Sequence, residues 1–532
     1  MKPLCSRLVR ALALLIAALT ALAARGEAQA RVTQIGYLKA SNPEAMDHFG
    51  CGGVNQGHTG RGVALSGDGN TLAVGAPHEA AGSKGINGNQ RDNSVFEAGA
   101  VYVYTRTGSG WSQQAYIKAS NPQMSAGFGH FVALSDDGNT LAVSAYWESS
   151  NAKGINGNQQ DESIPQAGAV YVFTRQGAAW SQQAYVKASN TGEAGTADAF
   201  GEGDQFGFSL ALSGDGATLA VGALTEDGGV PGLNGNQADN AAASAGAVYV
   251  FTRTGRAWSQ QAYVKSSNID AGDLFGYAVA LSRDGGVLAV GAFDEDGSTR
   301  QVDGPNDNRA AGSGAAYVFT RTGATWSQQA YLKPSNGEAQ DSFGTDVALS
   351  DDGSTLLVGS LDEDCAATGV NPPGCDTDWR DDLSMGAAYV FVRSGATWSQ
   401  QAFLKASNTG PNDWFGSRIA LSGDGNLAAI GASLEDGSAK GIDGKSDDAA
   451  NEAGAVYLFA RTGTAWRQQA YIKGANTEAF DEFGGSVTLD RAGRLLVVSA
   501  PAEDSATPGV AGNPADNSAE AAGAVYVFAL GR

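Results

Sequence analysis

The chain has 532 residues, enough for several domains, and its 34 Lys and Arg against 56 Asp and Glu give a formal net charge of −22. Nucleic acid is excluded as a partner for such an acidic surface, because phosphate binding requires a basic footprint. Four cysteines, absent from most of the chain, exclude a fold that depends on disulfides.

The first thirty residues predict a secretory signal peptide. Lys2, Arg7 and Arg10 precede an apolar run from Ala11 to Ala24, and residues 28–30 (Ala-Gln-Ala) fit a cleavage site. The alternative is a buried N-terminal helix. The run is too short to span a membrane, and no later stretch approaches ~20 apolar residues, so we expect an exported chain with no transmembrane segment. Cleavage after residue 30 would leave 30 basic and 55 acidic residues.

The remainder, residues 31–532, consists of seven repeats, each marked by a Phe-Gly pair. The pairs begin at Phe49, Phe128, Phe206, Phe275, Phe343, Phe415 and Phe483. The unit that starts at Phe275 contains four predicted strands, at 277–282, 287–293, 315–321 and 326–335. Asp-Gly between the first two is typical of a hairpin turn, and the more polar fourth strand suits an outer edge. Seven such units predict an all-β, seven-bladed β-propeller with four-stranded antiparallel blades.

The two ends of the chain complement each other. The last unit ends at "AGAVYVFALGR" and lacks a fourth strand, whereas Val32 to Asn42 ("VTQIGYLKASN") resembles the fourth strands of the other units. We therefore predict that this N-terminal strand pairs beside Ala524 to Leu530, completes the last blade and closes the ring. An open ring would expose unpaired strand edges, which promote aggregation.

The seven units resemble the FG-GAP repeat of the integrin α-subunit N-terminal β-propeller. Gly75-Ala76-Pro77 matches that motif in full, and residues 222–224, 291–293, 431–433 and 499–501 match it in part. In the family, several units carry a calcium loop between Phe-Gly and Gly-Ala-Pro. Here that space holds only short turns such as 66–69, which cannot supply six oxygen ligands, so these family sites are not expected.

The loops predict where a ligand would bind. In a four-stranded antiparallel blade, the 1–2 and 3–4 turns share one face of the disc and are short, whereas the 2–3 loops and the 4–1 connectors share the other and are long. Loops that a rigid scaffold positions often carry function, and the resemblance implies a ligand on the same long-loop face. We expect a monomer that binds a protein or glycan there without catalysis. Alternatives are a polysaccharide-active enzyme and a purely structural surface protein.

Two of the 2–3 loops are predicted to bind calcium, because their clustered carboxylates supply hard oxygen ligands. The candidate ligands are Asp294, Asp296, Asp303 and Asp307 in the fourth unit, and Glu435, Asp436, Asp443 and Asp447 in the sixth. The alternative is a structured loop in which Asn and Asp bond the backbone, since the full calcium-loop spacing is absent. No motif for a catalytic nucleophile, a phosphate loop or a zinc protease is present.

Three cysteines remain after the predicted cleavage. Cys365 and Cys375 flank a turn-rich loop and are predicted to form a disulfide, which would leave Cys51 unpaired.

Overall fold

The computed structural model describes residues 31–50, 60–108, 110–192, 203–375, 383–445 and 447–531. The predicted signal peptide and Cys51 lie outside these residues. The described residues form seven antiparallel sheets arranged as the blades of a propeller, which confirms the predicted all-β fold. Within that part of the chain, no helix has the length and apolar character needed to span a membrane.

The strands follow the seven repeats. The chain begins with β1 (Arg31–Leu38). Blade one contains β2 (Val63–Leu65), β3 (Thr71–Ala76), β4 (Ala100–Thr107) and β5 (Gly110–Ile117). Blade two contains β6 (Val132–Leu134), β7 (Thr140–Ala145), β8 (Ala169–Gln176) and β9 (Ala179–Val186). Blade three contains β10 (Phe206–Leu212), β11 (Thr218–Ala223), β12 (Ala247–Thr254) and β13 (Ala257–Val264). Blade four contains β14 (Ala278–Leu281), β15 (Val287–Ala292), β16 (Ala315–Thr322) and β17 (Thr325–Leu332).

The last three blades continue the pattern. Blade five contains β18 (Phe343–Leu349), β19 (Thr355–Ser360), β20 (Gly369–Val370), β21 (Ala387–Ser394) and β22 (Thr397–Lys405). Blade six contains β23 (Phe415–Leu421), β24 (Leu427–Ala432), β25 (Ala455–Thr462) and β26 (Ala465–Ile472). Blade seven contains β27 (Ser486–Leu489), β28 (Leu495–Ala500) and β29 (Ala524–Gly531). The fourth strand is the outer edge except in blade five, where the short β20 pairs outside β22.

The ring closes as predicted. β1 pairs antiparallel with β29, with Val32 opposite Leu530 and Leu38 opposite Val525, and the sheet order is β1-β29-β28-β27. The N-terminal strand is therefore the fourth strand of blade seven. This pairing joins the two ends of the described chain within one sheet and covers the edge of β29.

The Phe-Gly motif of one blade packs against the Gly-Ala motif of the preceding blade. A Cβ on Gly222 of blade three would lie 2.2 Å from the carbonyl oxygen of Gly276. The ring of Phe275 lies 5.4 Å from that of Tyr317 in an edge-to-face contact within blade four. Gly276 follows with φ +98°, and a Cβ there would lie 2.7 Å from the carbonyl oxygen of Ala247 in blade three. Only glycine permits this conformation and this approach, which accounts for the recurrence of the motif.

A β-bulge in the outer pair of strands aims one side chain at the neighbouring blade. The register between β4 and β5 shifts at Val103, so that Gln114 opposes no residue of β4. Its side chain accepts a hydrogen bond from Nε1 of Trp180, the buried tryptophan of the next blade. Bulges commonly redirect a side chain in this way, and here the result is a bond between blades.

Candidate functional site

The short-turn face is closed by contacts between its turns. Backbone hydrogen bonds link the 1–2 turns of neighbouring blades, as from Asp136 N to Gly214 O (2.8 Å) and from Gly214 N to Arg283 O (2.8 Å). Arg283 also forms an ion pair with Asp136 (2.6 Å), and Arg491 forms one with Asp351. Among the described residues, the 1–2 turns of this face are bonded to one another around the ring, and the connections on this face are short.

The long-loop face rests on a buried network that recurs in all seven blades. In blade three, Glu226 accepts hydrogen bonds from Lys265 Nζ (2.8 Å), Tyr263 Oη (2.8 Å) and Asn190 Nδ2 (3.1 Å). Burial lowers the pKa of Lys265, and the adjacent Glu226 opposes that shift. The seven pairs are Glu79–Lys118, Glu148–Lys187, Glu226–Lys265, Glu295–Lys333, Glu363–Lys405, Glu435–Lys473 and Glu503–Lys39.

An aspartate two residues before Phe-Gly belongs to the same layer in six of the seven units, the second unit having Ala126 instead. Asp273 accepts a bond from Asp270 N (2.9 Å) and so closes a turn of the connector. Burial raises the pKa of Asp273 to about 8, with smaller contributions from Glu295, Asp270 and Asp296. Burial is also the main reason why the pKa is raised to about 7 or 8 at Asp47, Asp204, Asp341, Asp413 and Asp481. These recurring carboxyls shape the connectors.

The calcium candidates of blade four are engaged in separate hydrogen bonds. Asp303 accepts from Tyr331 N (2.9 Å), Asp296 from Gly312 N (2.9 Å), and Asp307 from Ser298 N (3.0 Å). Burial raises the pKa of Asp294, to which Asp296 contributes. The bond made by Asp303 is made by a neutral asparagine in other blades, namely Asn87, Asn156, Asn234 and Asn371. This position therefore requires an acceptor oxygen rather than a negative charge.

The candidates of blade six repeat that arrangement. Asp443 accepts from Tyr471 N, Asp436 from Glu452 N and Asp447 from Ser438 N, at 2.8–2.9 Å, and Glu435 pairs with Lys473. No group of three or more His, Cys, Asp or Glu in the described ranges could hold a metal ion. Calcium binding stays a prediction. Calorimetry of the metal-stripped protein tests it: a binding heat with calcium that exceeds the heat with magnesium would support it.

The structure joins Cys365 and Cys375 by a disulfide. The bond closes the 2–3 loop of blade five around β20, which pairs with β22 through Val370 and Leu404. The loop is thereby fastened to the outer strand of its blade.

Blade symmetry breaks first at the inner rim of the long-loop face. Tyr146, Phe208, Tyr277 and Phe293 form a continuous row across blades two to four, with ring centroids 5.5, 5.1 and 4.3 Å apart in succession. The residues that correspond to Phe208 and Tyr277 in the next three blades are Thr345, Ser417 and Gly485. One side of the rim is aromatic and the other is small or polar.

The first strands surround a central channel of about 230 Å³. Near its long-loop end, Arg61 of blade one forms an ion pair with Asp346 of blade five and donates to Val347 O (2.9 Å). Asp346 also accepts from Ile419 N of blade six (2.9 Å). The pair therefore links blades that are not neighbours and narrows the mouth of the channel.

The blades also differ from one another at the outer surface of the long-loop face. The exposed large hydrophobic residues of the described ranges are Met46, Phe96, Met124, Phe480 and Val510, with exposed fractions of 50, 60, 72, 56 and 40%. All five lie on 2–3 loops or 4–1 connectors. We call Met46, Phe96, Met124 and Phe480 the apolar arc, because they occupy the junctions between blades six and seven, seven and one, and one and two.

A family model for the FG-GAP repeat matches residues 111–173, 258–319, 326–391, 398–459 and 466–528, more than half of the chain. The chain belongs to the FG-GAP repeat family. No curated protein matches it in sequence.

Several solved structures resemble this FG-GAP propeller at low identity. A protein named as a 6-phosphogluconolactonase from Bacteroides uniformis is 10% identical, with a TM-score of 0.42, over 78% of this chain and 85% of that one. The Cps50 (Swd1) β-propeller domain of Myceliophteria thermophila is 9% identical, with a TM-score of 0.45, over 88% and 96%. Hydrazine synthase of Kuenenia stuttgartiensis is 11% identical, with a TM-score of 0.42, over 87% and 94%. Likenesses this distant carry no argument about function.

Sequence reasoning missed both asymmetric features of the FG-GAP propeller. The signal was present: aligning the units on Phe-Gly places Met46 and Phe480 where the other units have Ser125, Gly203, Gly272, Gln340 or Asn412. Two members of the aromatic row, Phe208 and Tyr277, likewise appear as aromatic residues directly after Phe-Gly in units three and four. Residues that differ from their equivalents in the other units indicate the candidate site, whereas residues that recur in every unit do not.

Proposed function

We propose that this FG-GAP propeller is an exported recognition protein that binds a protein or glycan through its long-loop face without catalysing a reaction. The observation that carries the proposal is the position of the exposed large hydrophobic residues, all of which lie on that face in the described ranges. Exposed apolar patches mark interaction sites, whereas single exposed apolar residues are ordinary, and here four of the five fall at three consecutive blade junctions. On the opposite face, the 1–2 turns are bonded to one another around the ring.

The ionisable groups support a binding role over a catalytic one. The buried glutamate–lysine pairs and the connector aspartates recur from blade to blade beneath the loops. Each of these groups already forms hydrogen bonds within the protein, as Glu226 and Asp273 do. A general acid or base must reach a substrate atom within hydrogen-bond distance. Groups that are buried and repeated seven times fit a structural layer better than one active site.

One observation favours a second candidate, an enzyme that acts on polysaccharide. Burial and the nearby Glu452 raise the pKa of Glu482 to about 8. Glu482 N bonds to Glu452 O (3.0 Å), and the corresponding residues of the other units are not acidic. A carboxyl that keeps its proton at neutral pH beside a second carboxylate is a feature of glycosidases.

Two measurements separate the candidates. The purified protein is applied to glycan and protein arrays, and in parallel to a panel of glycoside hydrolase and polysaccharide lyase substrates. We expect binding without turnover. Reproducible turnover that Glu482→Gln abolishes would establish the enzyme, and the absence of any ligand on all arrays would favour a purely structural surface protein.

A further inference from the structure

We infer that the apolar arc, formed by Met46, Phe96, Met124 and Phe480, docks a segment of another protein whose apolar side chains are flanked by Lys or Arg. The inference rests on the proposed function, because it assigns a partner to one part of the long-loop face. It is narrower than that function, since a glycan or a different protein could still bind elsewhere on the face.

Two side chains of the arc, Met46 near its middle and Phe480 at one end, are held in a backbone conformation that favours glycine and asparagine. Met46 has φ +67° and Phe480 has φ +69°, and both are at least half exposed. The equivalent residues Ser125, Gly272, Gln340 and Asn412 have φ +54°, +90°, +67° and +62°. A bulky apolar residue in this left-handed region is uncommon, and Leu274, which also has a positive φ, is buried in the core, whereas Met46 and Phe480 are exposed.

The four side chains also lie at consecutive junctions between blades. Phe480 N donates to Asn451 O of blade six, and Met46 N donates to Glu520 O of blade seven, both at 2.8 Å. At the next junction Ser125 N, which follows Met124, donates to Phe96 O of blade one (2.9 Å). These bonds seat each connector on the preceding 2–3 loop, so the apolar side chains follow one arc around the closure of the ring.

The surface around Met46 and Phe480 is acidic. Glu44, Glu478 and Glu520 are exposed beside Met46 and Phe480. The connectors 40–50, 119–129 and 474–484 and the blade-seven loop 501–523 contain no Lys or Arg, and the basic residues of the adjoining blade-one and blade-six loops are Lys84, Arg91, Lys440 and Lys445. A basic and apolar segment complements such a surface in both charge and polarity. A second copy of this strongly acidic chain does not, because the two acidic rims would face each other.

The test uses a fluorescein-labelled peptide of roughly 18 residues, built from Leu on one helix face and Lys on the other. The control peptide has Glu in place of every Lys. Binding is followed by fluorescence anisotropy in about 0.15 M salt, where long-range attraction to net charge is screened. The proteins compared are the wild type, the double variant Met46→Asn with Phe480→Asn, and Gln340→Asn at the equivalent position across the ring.

We expect the wild type and Gln340→Asn to bind the Lys peptide at least about tenfold more tightly than the double variant binds it, and the Glu peptide weakly or not at all. Asparagine suits a positive φ, so the double variant should melt at or above the wild-type temperature, and lost binding cannot then be attributed to unfolding. Equal binding by the wild type and the double variant would overturn the inference, even where array ligands still support recognition by this face. So would a dimer that only the wild type forms, or preferential binding of the wild type to vesicles of anionic lipid.

Discussion

Trp180 Nε1 in blade two donates a 3.0 Å hydrogen bond to Gln114 Oε1 in blade one. The same bond links four further pairs, Trp258–Gln183, Trp326–Gln261, Trp398–Gln329 and Trp466–Gln401. The series ends at the closure of the ring. In β1 the residue equivalent to Gln114 is Ile35, and Nε1 of Trp111 in blade one is buried without a partner.

Ile35→Gln should stabilise the ring, because it offers Trp111 Nε1 the acceptor that this group lacks. A buried donor left without a partner costs about 1–3 kcal/mol, and a restored bond recovers part of that cost. Chemical denaturation should therefore show a gain of about 1 kcal/mol. Gln261→Ile, which removes the acceptor of Trp326, should lose a similar amount. Gln469→Ile is the matched control, since the next blade has Val32 in place of Trp and no such bond is lost.

Breaking one buried ion pair should cost far more than replacing the whole pair. Lys265→Met leaves Glu226 buried beside Tyr263 without its cation, a change that typically destabilises by about 3–5 kcal/mol. The double variant Lys265→Met with Glu226→Gln removes both charges and should recover a large part of that loss. A double-mutant cycle on unfolding free energies measures the difference, and equal losses in the single and double variants would refute the coupling.

Stability should fall as the pH rises from about 5 to 9. Six connector aspartates have folded-state pKa values raised to about 7 or 8, above the ~3.9 of an unfolded aspartate. Their contribution to stability is complete below the unfolded pKa and is lost as the pH passes the folded value. Thermal melts across this range test the direction, and Asp273→Asn, which cannot ionise, should show a shallower decline than the wild type.

Removing β1 should open the ring. A chain that begins at Pro43 loses the strand opposite β29 and also Tyr37 and Lys39, both of which bond to Glu503 (2.6 and 2.8 Å). The exposed strand edge and the unpaired buried carboxylate should cause aggregation or a large drop in melting temperature. A synthetic peptide of residues 31–42 should restore part of the loss. A truncated chain that melts cooperatively at the parent temperature would contradict the closure.

The sequence was sufficient for the fold because the fold is repeated. Phe275 and its six counterparts set the register of the blades, and the resemblance of β1 to other fourth strands predicted its pairing with β29. The Glu226–Lys265 pair could not be predicted in this way. Its residues are 39 apart, and no spacing in the sequence indicates that a lysine lies against each of these glutamates. The apolar arc appears in the sequence only as a departure from the repeat at Met46 and Phe480, and the exposure of these side chains became known from the structure.

Binding through the long-loop face is tested most directly by measuring binding with either the long-loop face or the short-turn face turned toward the ligand. In a Cys51→Ser background, a single thiol is placed on the short-turn face by Ala324→Cys or on the long-loop face by Ala515→Cys, and the protein is tethered through it to a biosensor surface. Ligands identified on the arrays are then passed over both surfaces. The account predicts full binding to protein tethered through residue 324 and a marked loss for protein tethered through residue 515. Equal binding in both orientations, or binding only when the short-turn face is accessible, would contradict it.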